Sequence, residues 1–179
     1  LGHLITARAV AEELGVGQVR LMVAGQPPHK PDDHAIVAPH HRVVMCRAAV
    51  EGDPFFQVDD RETRPDGPSF TIETARELQS ASPFGGGPVP WLIGSDLLPG
   101  LMGWREAPRL LAGDIVRLIV MHRAGHRVDW EALPPEVQGL KSSAVIVPQI
   151  DISATQIRRR VREGRDIRYL VPEGVWRYV

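Results

Sequence analysis

The sequence predicts an α/β fold built on a parallel sheet. Short, strand-sized apolar runs alternate with stretches of helical spacing along the whole chain. Several of those runs are nearly unbroken in apolar residues, as strands covered on both faces are. The Gly and Pro residues fall between the periodic segments, where turns need them.

The first helix is expected over residues 1–14, with Leu4, Ala7, Val10, Ala11 and Leu14 on its apolar positions and Gly15 as its stop. Residues 19–24 form a buried strand, followed by the loop Gly25-Gln26-Pro27-Pro28-His29-Lys30. Helical spacing returns over residues 39–50, and residues 55–58 read as a strand before a charged loop to Pro68. Ser69 opens a helix to about Ser80. Residues 89–94 are strand-like, with Pro90 near the start, where a strand tolerates it. Gly94-Ser95-Asp96 leads into residues 97–104, and a helix covers residues 107–111. Residues 115–121 give the clearest strand, 122–141 a long surface excursion, and 144–147 a last strand. A helix beginning at Ser153 and closed by Gly164 follows, then a short one over residues 172–179.

A chain of 179 residues fits one domain with a substantial core. Its formal net charge of −1 gives no general pull toward nucleic acid or a membrane surface, and neither is expected as a partner. No apolar run reaches the length of a membrane span. The single cysteine, Cys46, excludes an internal disulfide framework and fits a cytoplasmic protein. Its apolar neighbours Val43, Val44 and Met45 make it a structural thiol rather than a nucleophile. A homo-oligomer is compatible with the sequence, which does not fix oligomeric state.

Ligands of parallel α/β sheets sit beyond the carboxyl ends of the strands. The loops after Ala24, Gly94 and Ile150 face that edge, so Lys30, Asp96 and Ser153 are expected to meet there. Ser153 is a good N-cap, and Gln156 three residues later completes a Ser-x-x-Gln capping box. A helix start of this kind attracts anions. Thr155 adds a hydroxyl, and Arg158 one turn in can fork onto phosphate oxygens. An ordinary capped helix with a basic, solvated face explains the same residues equally well. Gly2-His3 stands at another helix start, where a histidine is most often simply solvated but can also donate to an anion. Paired prolines stiffen the loop that carries His29 and Lys30. Asp96 suits paired ribose hydroxyls, or else caps the next helix. Trp104 reads as a core aromatic that can alternatively stack on a planar base. Pro68-Ser69-Phe70-Thr71 is a helix start that also offers hydroxyls and N–H groups to a carboxylate.

Other chemistries fit poorly. There is no Walker-type phosphate loop and no G-x-S-x-G elbow. The pairs His40-His41 and His122/His126 lack partners at metal spacing, so no protein-bound metal is expected.

Taken in order, the motifs resemble those of bacterial nicotinate-nucleotide adenylyltransferase, in the HxGH nucleotidyltransferase superfamily. Leu1-Gly2-His3-Leu4 resembles the end of HxGH-L, Pro27-Pro28-His29-Lys30 the P-P-H-[KR] loop, and Pro68-Ser69-Phe70-Thr71 the P-S-[YF]-T motif. Gly94-Ser95-Asp96 with Leu101 and Trp104 resembles G-x-D…L-x-x-W, Ile152 to Arg158 resembles I-S-[SA]-T-x-I-R, and Tyr169-Leu170-Val171-Pro172 the family's ending. The resemblance implies a Rossmann-like parallel sheet with helices on both faces. It implies adenylyl transfer from ATP to nicotinate mononucleotide in NAD synthesis, with Mg²⁺ on the triphosphate. His3, Lys30 and Arg158 would be catalytic. Gly2, His3, Gly94, Asp96, Ile152, Ser153, Thr155 and Arg158 would bind ATP. His29, Lys30, Thr71, Trp104 and Arg105 would bind the mononucleotide. The family's first strand and its Gly-Gly-Thr-Phe-Asp-Pro loop would precede Leu1. The expectation is therefore one nucleotidyltransferase domain over residues 1–179 that lacks its first strand through truncation, and a chain truly starting at Leu1 would show little catalysis. The alternatives are a non-catalytic nucleotide-binding remnant and a pantetheine-phosphate adenylyltransferase.

Overall fold

The computed structural model describes residues 1–26, 37–64, 67–81, 86–123 and 128–179. They divide into two compact units, residues 1–69 with 150–179 and residues 70–149. In both, parallel strands alternate with helices, as the apolar runs predict.

The first unit begins with helix α1 (Gly2–Glu13), which buries Thr6, Ala7, Val10 and Ala11. Gly15 follows at φ 65°, a left-handed conformation that glycine adopts without strain and that ends the helix. Strand β1 (Val19–Met22) pairs in parallel with β2 (Phe56–Asp59), Val19 opposite Phe56 and Met22 opposite Asp59. The strand expected over residues 19–24 is therefore shorter. The Val23 N–H still donates to the Asp59 carbonyl at 2.9 Å. The carbonyls of Ala24 and Gly25, however, are taken by the Arg42 guanidinium rather than by a neighbouring strand. Nor is β1 buried throughout: Arg20 is exposed, and the full burial falls on Val23 just beyond it.

Helix α2 (Pro39–Ala49) starts on a proline, whose fixed φ and missing N–H suit a first helical turn. It packs on the C-terminal helix α7 (Glu173–Tyr178), where the Tyr178 hydroxyl lies 2.6 Å from His41 Nδ1. Cys46 is half-buried, and burial pushes its thiol pKa up although the Arg42 charge opposes this; that is inert behaviour, as the sequence suggests.

In the second unit, helix α3 (Thr71–Ser80) precedes β3 (Val89–Gly94), and a 3-10 helix runs from Ser95 to Gly103. Then come α4 (Ala107–Leu111), β4 (Val116–Arg123), α5 (Pro135–Gln138), a second 3-10 turn (Gly139–Ser143) and β5 (Ala144–Val147). The three strands form a parallel sheet in the order β3-β4-β5, with Val89 opposite Val116 and Val120 opposite Ala144. Ile72, Leu98, Leu101, Leu110, Val116, Val120 and Val137 make a core with essentially no solvent exposure.

Of the surface excursion that the sequence suggests over residues 122–141, the described part from residue 128 on departs from that reading. Leu133 and Val137 both enter this core. The prolines at 134 and 135 start a single helical turn, and that turn aims Val137 inward. Burying one such side chain contributes about 1.5–3 kcal/mol, enough to pin a polar segment that has no apolar periodicity. Among the described residues no helix is long and apolar enough to cross a membrane.

Candidate active site

The motif residues around Gly2-His3 and Ile152 to Arg158 lie in the first unit. Helix α6 (Ala154–Arg162) has Ser153 as its N-cap, in extended conformation (φ −108°, ψ 142°), and its hydroxyl oxygen accepts from the Gln156 N–H at 3.2 Å. That satisfies one of the N–H groups a helix start leaves unpaired. Ile152 is half-buried just before the cap, and Thr155 is exposed. A terminal nitrogen of Arg158 donates to the Thr155 hydroxyl at 3.4 Å, so the two side chains share a face one turn into the helix. The other end of α6 is fixed too. Arg160 donates twice to the Asp166 carbonyl, at 3.0 and 2.8 Å, and the Asp166 carboxylate accepts from Trp176 Nε1 at 2.8 Å. The backbone N–H of Arg168 and the Trp176 indole hold that carboxyl below its usual range.

Gly2 and His3 open α1. A Cβ placed on Gly2 would lie 3.6 Å from Ile150 Cγ2, so the start of α1 abuts the connection leading into α6. His3 is exposed at that same helix start. The structure thus places the starts of α1 and α6 in one unit. His29 and Lys30 lie outside the described residues. The chain on either side of their segment is tied to one side chain: Arg42 donates to the carbonyls of Ala24 (2.5 Å), Gly25 (2.7 Å) and Val37 (2.9 Å).

The remaining candidates lie in the second unit. Gly94 ends β3, and Asp96 follows in the first 3-10 turn, exposed and making no side-chain cap. The capping alternative for Asp96 therefore does not hold. A Cβ on Gly94 would collide with Asp96 Oδ1, so the missing side chain is what lets the carboxylate sit there. Thr71 is the first residue of α3. Trp104 closes the 3-10 helix and is half-buried against the core. Arg105 is exposed, its Nε 3.2 Å from Glu73 Oε1 and its guanidinium 4.6 Å from the centre of the Phe70 ring. Asp96 and Ser153 belong to different units.

Sequence reading passed over four residues that shape these surroundings. Arg42 holds the carbonyls of Ala24, Gly25 and Val37, and the Arg76–Glu106 pair supports the Trp104 turn. Glu62, a buried carboxylate, accepts from the Ser69 hydroxyl at 3.0 Å and steadies the Pro68–Thr71 motif. A charged side chain that short-range spacing does not pair is the only sign each one leaves in the sequence. Among the described residues no three His, Cys, Asp or Glu side chains gather where they would hold a metal ion.

Residues 1–160 match the cytidylyltransferase-like family. A probable nicotinate-nucleotide adenylyltransferase from Roseiflexus sp. (strain RS-1) is 36% identical over 180 residues, covering 99% of this chain and 87% of the relative. One from Salinibacter ruber (strain DSM 13855 / M31) is 36% identical over 179 residues, covering all of this chain and 88% of the relative. A solved structure of Plasmodium falciparum nicotinic acid mononucleotide adenylyltransferase complexed with NaAD superposes with a TM-score of 0.68 at 14% identity, over 97% of this chain and 86% of that one. At that identity the likeness is one of fold. The sequence relatives go further, because their identity runs from end to end of this chain: it belongs to the nicotinate-nucleotide adenylyltransferases, within the cytidylyltransferase-like family.

Proposed function

We propose that this protein transfers the adenylyl group of ATP to nicotinate mononucleotide, forming nicotinate adenine dinucleotide and pyrophosphate in NAD biosynthesis. The observation that carries the reading is the Ser153-capped helix, with Thr155 and Arg158 on one face, in a chain of this family. The mononucleotide phosphate attacks the α-phosphorus of ATP in line, and the bond to the β-phosphate oxygen breaks as pyrophosphate leaves. No covalent enzyme intermediate forms. Such a reaction asks the protein for alignment and charge neutralisation rather than for a nucleophile. Residues 1–179 act in it as one nucleotidyltransferase domain.

The free N–H groups at the start of α6 and the Arg158 guanidinium take ATP phosphate oxygens. His3 and Lys30 bear on the reacting phosphates, and Gly2 and Ile152 shape the backbone beside them. Asp96 accepts from the adenosine ribose hydroxyls, with Gly94 giving it room. Trp104 stacks on the pyridine, and Thr71, His29 and Arg105 complete the mononucleotide side. With no acidic cluster among the described residues, Mg²⁺ enters on the ATP triphosphate, as part of the substrate. The lone half-buried Cys46 and the absence of a membrane-crossing helix among the described residues support a cytoplasmic setting.

The test is pyrophosphate release by the product of the complete reading frame, with ATP and either nicotinate or nicotinamide mononucleotide. Strong preference for the nicotinate form is expected. Equal rates would sink the carboxylate-selective reading, and no turnover with either would sink the proposed reaction.

A further inference from the structure

Three residues on one side of α3 grip the turn that carries Trp104. Phe70, Glu73 and Arg76 recur at three-residue spacing, which sets them along one helix face. Arg105 lies over the Phe70 ring and pairs with Glu73. Its neighbour Glu106 pairs with Arg76 through two parallel bonds, 2.9 Å and 2.5 Å, the fork geometry that fixes direction as well as distance. The signs alternate on both sides: Glu73 then Arg76 on the helix, Arg105 then Glu106 on the turn. A slip by one partner would put Glu73 against Glu106 in one direction, or Arg76 against Arg105 in the other. The turn therefore docks in one register.

Glu106 itself sits in the left-handed region (φ 52°, ψ 41°), unfavourable for a residue with a Cβ. Its carbonyl accepts from the N–H groups of Arg109 (2.8 Å) and Leu110 (3.1 Å), while the Trp104 carbonyl accepts from Ala107 (3.1 Å). This bend turns the chain out of the 3-10 helix and into α4 immediately after Trp104. The backbone bonds to the Glu106 carbonyl and the Arg76 fork on its side chain bear on this conformation together.

We propose that the Arg76–Glu106 pair is a positioning element for the pyridine nucleotide. By fixing Trp104 relative to the start of α3, where Thr71 lies, it sets affinity for the mononucleotide and leaves ATP affinity alone. The inference rests on the proposed function, because it takes Trp104 and Thr71 as the pyridine-reading pair. Neither Arg76 nor Glu106 touches a residue assigned to ATP. The pair's effect is accordingly confined to one of the two substrates.

Titration calorimetry of the full protein at low salt, with nicotinate mononucleotide and with ATP separately, tests this. Arg76→Glu sets two carboxylates face to face and is expected to weaken mononucleotide binding about fivefold, the scale of a well-formed exposed ion pair, with ATP binding changed less than about twofold. The double variant Arg76→Glu/Glu106→Arg restores the pair with its charges exchanged, and it should recover most of the lost affinity. Arg76→Lys keeps the charge but not the fork, and is expected to fall between wild type and Arg76→Glu. Added salt should shrink the differences. Circular dichroism reports folding, and should Arg76→Glu fail to fold, Arg76→Lys decides by its two affinities. Unchanged mononucleotide affinity, parallel loss of both ligands, or no recovery in the exchanged pair would overturn the inference. A wild-type protein that binds ATP but not the mononucleotide would instead overturn the function on which it rests.

Discussion

At Gly25 a methyl group would run into the backbone carbonyl of Glu62, and backbone has no rotamer by which to step aside. Gly25→Ala is therefore expected to destabilise the protein by about 2 kcal/mol or more, read as a lowered midpoint in urea denaturation. A midpoint within error of wild type would show that this packing relaxes more easily than the close approach suggests. Gly94 differs in kind, because its obstacle is the end of the Asp96 side chain, which can swing away. Gly94→Ala should leave the denaturation midpoint nearly unchanged yet move the carboxylate off the ribose. The KM for ATP should rise severalfold while that for the mononucleotide holds. A loss of stability with unchanged ATP kinetics would remove Asp96 from the site. The sequence marks both positions as Gly, but the reasons separate only once each glycine's neighbour is known.

Helix α6 buries none of its residues completely, so packing does little to replace its cap. Ser153→Ala removes the acceptor for the Gln156 N–H and is expected to cost about 1 kcal/mol, visible as faster amide exchange in the first turn. Exchange rates equal to wild type would mean that other contacts hold the helix start. This element was legible in the sequence because its determinants are local: a cap, and a glutamine three residues on. The α3 clasp on the Trp104 turn was not legible, since Arg76 and Glu106 are thirty positions apart and nothing in the chain between them announces the pairing. Nor does sequence reveal that Glu106 occupies a left-handed conformation, which glycine or asparagine would have signalled. Residues 133–137 were misread for a related reason. A single helical turn is too short to display a period, so burial of Val137 shows only in three dimensions.

Among the described residues, the carboxylates with perturbed acidity are all shifted the same way. Burial pushes Asp59 up, but hydrogen bonds and charge from Arg61, with Arg20 beyond, outweigh it and leave the carboxyl below its ordinary value. Asp60 is lowered by its hydrogen bond from Arg64, Glu106 by that from Arg76, and Asp166 by the Arg168 N–H and Trp176. A carboxyl more acidic when folded than unfolded contributes stability that is fully present above its unfolded pKa and lost as pH falls through the folded one. Urea midpoints are thus expected to hold steady from neutrality to just above the usual carboxylate range and then drop on acidification, most steeply at low salt. Midpoints that rose between pH 5 and 3 would contradict the assignments. The strand-helix order of the fold was readable because each apolar run carries its own signal. The division into two units was not, since hydropathy and charge do not change where residues 69 and 70 or 149 and 150 meet.

Arg42 ties the end of β1 to the entry of α2. Its guanidinium gathers the carbonyls of residues 24, 25 and 37, so the chain departs from and returns to a single point. With both fastened to one guanidinium, the end of β1 and the entry to α2 depend on the same side chain. One substitution at Arg42 would therefore act on two stretches of chain at once, a coupling that neither stretch carries in its own sequence.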